Sequence, residues 1–182
     1  MTPTIETRIN AIIGALEHLV LPALANADSI VQEQAGLALG HLKIIAMQLP
    51  LIETYHAICL AEQIRLGREL LACAEGGEAT TAAGAALSEA VTAAAAGSGD
   101  VRAYRHMVAH ANSQMVIASS LDGTPAFIKA SQEVLIQHGL RQSARDRAWY
   151  GPTGLDPFAA GLPSMEEMVA AERAALKEEA VA

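Results

Sequence analysis

Residues 50–73 read PLIETYHAICLAEQIRLGRELLAC. At helical spacing this run carries two apolar lines rather than one. Ile52, Tyr55, Cys59, Leu66 and Leu70 fall on one side, and Leu60, Ile64 and Leu71 on the other. A helix that is apolar on two sides must be covered on two sides. The run is therefore predicted to be the central helix of an all-α, single-domain helical bundle. Pro50 suits its first turn, where a missing N–H costs nothing, and Glu75-Gly76-Gly77 ends it.

Upstream, a first helix is predicted over about 4–25. Ile5, Ile9, Ile12, Ile13, Leu16, Leu19, Val20 and Ala23 fall in one stripe, and Pro22 should kink or shorten its last turn. After the turn Asn26-Ala27-Asp28, Ser29 faces Gln32 at capping-box spacing and opens a second helix to about Leu49. The short connection makes these two an antiparallel N-terminal hairpin.

Downstream, residues 80–96 are low in complexity, with only Leu87 and Val91 as large apolar side chains. Alanine still favours a helix there, because it has no side chain to order. Asp100 caps the next helix, about 101–120. Another starts at Pro125 and ends either at His138 before Gly139 or further on, near Trp149, whose ring with Tyr150 would plug one bundle end. The bundle proper is assigned to 1–150, with about six to seven helices in all. Residues 151–182 are read as a Gly/Pro loop and a charged tail helix opened by the capping box Ser164 to Glu167, docked on the same domain or on a second subunit. No heptad array and no solenoid-type repeat is read along the chain.

Composition narrows the function classes. Hydrophobic residues make up 52% and aromatics 3%, an Ala/Leu-rich mixture that favours helix over strand. The net charge of −8 and the lack of a Lys/Arg run argue against nucleic acid and against anionic membranes. Mean hydropathy is positive, at +0.26. The greasy stretches are broken by Glu17 and His18, by His41 and Lys43, or by Glu62 and Arg65, so the excess is read as two-sided burial or a subunit interface. The N-terminus lacks a basic start followed by an apolar block, which predicts a cytoplasmic protein. On one helix Cys59 and Cys73 would lie about 21 Å apart, too far to pair.

Helical phase also picks out the polar residues that face inward. His41 lies near the middle of the apolar face of the second helix, in line with Gln34, Ala38 and Ile45. Glu53 and His56 border the central helix, and Phe127, Val134 and His138 share a line. His41, Glu53, His56 and His138 are thus a candidate metal set. Glu53-Thr54-Tyr55-His56 has the Glu-x-x-His step of di-iron bundles, but no second such step exists. A mononuclear zinc or iron site is the remaining form, set against hydrogen-bonded histidines that only specify packing; no cofactor is expected. His106 and His110 are four apart without a third ligand. Arg141 and Arg145, in a basic cluster with His138 and Arg147, are candidate ligands for a phosphate or carboxylate. No phosphate loop, nucleophile elbow or dinucleotide fingerprint is present.

Val20-Leu21-Pro22-Ala23-Leu24 and the segment from Gln34-Ala35 through Leu42 resemble the opening hairpin of small, uncharacterised, all-helical bacterial proteins associated with phosphotransferase-like enzymes. The resemblance covers under a third of the chain. It implies an accessory or partner-binding role and transfers no catalytic residues. Together these readings predict a non-enzymatic protein that self-associates, as a homodimer, or binds a protein partner. A metal- or ligand-binding bundle is the alternative.

Overall fold

The computed structural model describes residues 2–97, 99–154, 156–158 and 160–179. The chain is all-α, as its composition implies. Helices α1 (Ile5–Ala15), α2 (Leu21–Ala23), α3 (Ser29–Gln48), α4 (Ile52–Cys73), α5 (Glu78–Ala95), α6 (Val101–Asp122), α7 (Pro125–Tyr150) and α8 (Met165–Glu179) follow in order. Contacts divide them into two compact units, residues 1–52 with 147–168 and residues 53–146 with 169–182.

The first unit holds the N-terminal hairpin. Thr4 caps α1 by accepting from the Thr7 N–H. Pro22 cannot donate to the carbonyl four residues back, and the chain meets this with a π-helical turn over Leu16–Val20, where the Leu21 N–H bonds the Leu16 carbonyl. The strand of helix thus continues instead of stopping. Lys43 of α3 pairs with Glu17 at 2.8 Å and ties the two arms together. Ser29 and Gln32 do not form the predicted reciprocal box. Gln32 Nε2 instead donates back to the carbonyls of Ala25 and Ala27. Pro50 lies in a 3-10 turn, Leu49–Leu51, and helical structure runs unbroken from Ser29 to Cys73. Trp149 is buried and its carbonyl accepts from Gln48, whereas Tyr150 is exposed.

The second unit carries the larger core, in which Leu66, Leu70, Leu87, Val108, Met115 and Phe127 meet. The low-complexity segment is a helix, α5, packed along α6. Its N-terminus is held by the last residue of α6: the Asp122 carboxylate accepts from the N–H groups of Ala79 and Thr80 and from the Thr80 hydroxyl, at 2.7, 3.0 and 2.6 Å. These donors, the Thr80 hydroxyl first, hold the Asp122 carboxyl below its ordinary pKa. Gly77 leaves room for the cap, since a Cβ there would stand 2.6 Å from Asp122 Oδ2. Asp100 caps α6 as predicted, and Ser164 and Glu167 form the predicted box before α8. Of the two endings weighed for α7, the helix takes the longer, through Gly139 to Tyr150.

Candidate functional site

On α4, Glu62, Arg65 and Glu69 recur at spacings of three and four, and so share one line. On α7, His138, Arg141 or Gln142, and Arg145 do the same. The two lines face each other within the second unit. Glu62, 2% exposed, sits at the centre, with Arg65 Nη1 and Arg141 Nε each at 3.1 Å and Arg145 Nη2 at 3.4 Å. Arg141 also reaches Glu69 at 3.3 Å, and Arg145 reaches Glu172 of α8 at 3.5 Å. Arg145 is fully enclosed and donates to Gln142 Oε1; Gln142 in turn donates to Asp146, which accepts from the Tyr55 hydroxyl at 2.8 Å.

The charges explain one another. Burial alone would raise the Glu62 carboxyl, but the Arg141 hydrogen bond and the charges of Arg65, Arg145 and Arg141 outweigh it and hold the group below its ordinary pKa. The Tyr55 phenol is pushed up, first by burial and then by the neighbouring Cys59 and Asp146. Burial likewise raises the Cys59 thiol, so it is a protonated packing group and not an activated nucleophile.

Each sequence-predicted candidate has a definite place. His138 lies beside this centre, its Nδ1 4.0 Å from Glu62 and without a hydrogen bond. Glu53 pairs instead with Arg102 at 2.8 Å, with both side chains more than half exposed. His56 Nδ1 is 3.3 Å from Arg105 Nη1, so a guanidinium takes the lone pair a metal would need. Glu53 and Glu62 stand on one helix about 13 Å apart by its rise, so Glu53 and the His138 neighbourhood do not converge. His41 belongs to the other unit. Predicted to face inward, it is exposed beside a shallow groove lined by Gly36, Leu37, Gly40 and Ile44, because the apolar face it sits on is left open. Among the described residues no three His, Cys, Asp or Glu side chains gather to hold one ion. His106 and His110 are exposed on α6. Arg141 and Arg145 face carboxylates of the chain itself, so an anion would have to displace Glu62, Glu69 or Glu172. Arg147 is taken by Asp156.

His138 gives the centre a pH dependence. Burial first, and then Arg141 and Arg145, lower its pKa below 6.5, against the opposing charges of Glu62 and Glu69. The folded state therefore holds the neutral ring more firmly than the unfolded chain does. Stability from this term is complete above about pH 6.5 and is lost as pH falls through the lower folded value. His56, lowered by burial and by Arg102 and Arg105, acts in the same direction. Urea midpoints of the wild type should fall between neutral pH and about pH 5, and His138→Gln should flatten part of that fall. An unchanged slope would mean that His138 titrates alike in both states.

The arrangement closes on itself: its chemistry is that of a staple joining α4, α7 and α8. Sequence reasoning missed Glu62, Glu69 and Glu172 as the partners of the arginines, although the spacing of the first two on a helix buried on both sides was a usable signal. No protein-family model, curated protein or solved structure matches the chain.

Proposed function

We propose that the protein is a non-enzymatic association protein that binds through its N-terminal hairpin, with the second unit as a stapled bundle. One observation carries this reading. α1 has no buried residue and α3 has only Leu39, while Ile5, Ile12, Leu19, Ile30, Leu37 and Ile45 stay 45–70% exposed. Soluble proteins rarely leave contiguous apolar surface of more than a few hundred Å² open unless something covers it. The accessory role implied by the sequence resemblance agrees in kind.

A membrane is the competing cover. The helical run Ser29–Cys73 includes a window apolar enough to cross one, and only 6% of that window is buried. Glu6, Arg8, Glu17, Glu33 and Lys43 all belong to the same hairpin, which favours a protein surface over hydrocarbon.

Site-specific photo-cross-linking in cells tests the reading. A benzophenone amino acid at Leu19 or at Ile45 is expected to give discrete protein adducts, and one at exposed His110 on α6 is not. Adducts absent from both hairpin positions, or equally abundant from all three, would overturn it.

A further inference from the structure

The exposed side chains of the hairpin follow a rule. On the first arm Ile5, Ile9, Ile12 and Leu16 alternate at spacings of four and three up to the π-helical turn, and Leu19 and Ala23 keep the same spacing in sequence beyond it. On α3 so do Val31, Ala35, Ala38, Leu42 and Ile45, continued by Leu49 in the 3-10 turn that follows. This is the spacing of a coiled-coil seam. Along each seam, cover alternates too. Ile9 and Leu16 are partly buried, and Ile5, Ile12 and Leu19 are exposed at 63, 49 and 70%. Ala35, Leu42 and Leu49 are partly buried, and Val31, Ala38 and Ile45 are exposed. Along each arm, alternate seam positions are thus partly covered and the others open. Two of the four walls of a four-helix bundle are present.

We propose that this hairpin docks on the same hairpin of a second copy, closing a four-helix bundle between the two chains. The inference rests on the reading above and names the partner. A second copy supplies two seams of the same spacing and length, and a two-fold axis brings them into register without any new surface. Neither seam contains a charged residue, so two acidic chains can meet there without burying charge. The area fits as well. The five large exposed seam side chains offer roughly 500 Å² per copy, and a homodimer interface of standard size needs about 800 Å² per partner, of which about 65% is apolar.

Sedimentation velocity of the full chain across the micromolar range tests the proposal. The wild type should run as a dimer that dissociates on dilution. Ile12→Glu and Ile45→Glu together place four carboxylates in the interface and should weaken the dimer at least about a hundredfold. Both sites are exposed in the free chain, so helix content should be kept. Ile45→Glu alone is the milder second variant, and Ile117→Glu on α6, also at an exposed site, should leave the dimer mass unchanged. A wild-type monomer at every concentration, a dimer indifferent to both hairpin charges, or flotation of the chain with phosphatidylcholine vesicles would each overturn it. If the mass is monomeric while the hairpin still cross-links to another protein, this proposal falls and the broader reading stands. If no adduct forms, both fall.

Discussion

Replacing Glu62 by Gln should cost the fold about 3–5 kcal/mol, the range seen when one partner of a buried charge pair is removed. The reason lies in the geometry of the second unit. Glu62 is the shared counter-ion of Arg65, Arg141 and Arg145. Arg141 and Arg65 keep 30% and 28% side-chain exposure and can turn toward water, and Arg141 retains Glu69. Arg145 has no exposure; it keeps the neutral Gln142 Oε1 at 3.1 Å, and its one remaining carboxylate is Glu172 at 3.5 Å. Its Nε has no partner even in the intact cluster. Most of the loss therefore comes from stranding Arg145. Arg145→Met should cost less, because Glu62 would still face two guanidinium groups. The double variant should lose less than the sum of the singles, the sign of a direct coupling. Urea unfolding of the full chain followed by helical circular dichroism measures all three. A loss below about 1 kcal/mol for Glu62→Gln would mean that water reaches the cluster and that the pair is an ordinary surface one.

The same carboxylate sets an acid limit. Its folded pKa lies below the ordinary 4.5, so its stabilisation is present above that value and disappears as pH falls through the lower folded one. The wild type should lose stability below about pH 4.5, and Glu62→Gln should show a shallower loss there. An acid limb of equal steepness in both proteins would assign the effect to other carboxylates, of which capping Asp122 is one.

Much of the local structure is readable from periodicity and caps. The α4 line of Tyr55, Cys59, Leu66 and Leu70 is buried as its spacing implies. The box at Ser164 and the cap at Asp100 form because their side chains reach only local donors. The charged staple was not legible, for a physical reason. Glu62 and Arg65 read from α4 alone as interruptions of a greasy run, and His138, Arg141 and Arg145 read from α7 alone as a basic cluster. Neither periodicity states that α4 and α7 face each other, and the charges acquire a meaning only when they do. His41 shows the converse. Periodicity places it on the apolar face of α3, but periodicity says which face wants cover and not whether the chain itself provides it. On α3 that face stays open, and an inward histidine becomes an exposed one.

Leu87→Ala is expected to cost nearly as much as the loss of Glu62, in the upper part of the roughly 2–5 kcal/mol range for Leu→Ala in a core. Half of the α5 sequence is alanine, and alone it would look marginal. What fixes it is close approach. Leu87 is fully buried and Val91 is 6% exposed. Both press on Gly67 of α4, where a Cβ would stand 2.7 Å from Val91 Cγ2 and 3.2 Å from Leu87 Cδ1. The glycine is the socket, and its backbone cannot move in to fill a hole without shifting α4, which also carries the charged staple. The α5 neighbours of Leu87 on the buried side include Ala90 and Ala94, which have no side chain long enough to swing across. The cavity should therefore stay open, and cost follows residual cavity volume. Alanine is at least as good a helix former as leucine, so the loss measures packing and not helix propensity. Hydrogen exchange gives the local readout: amides of α5 should exchange faster in the variant while those of α4 change less. A stability loss under about 1 kcal/mol, with α5 amides as slow as in the wild type, would mean that the Asp122 cap, Val91 and the alanine contacts with α6 hold α5 without Leu87.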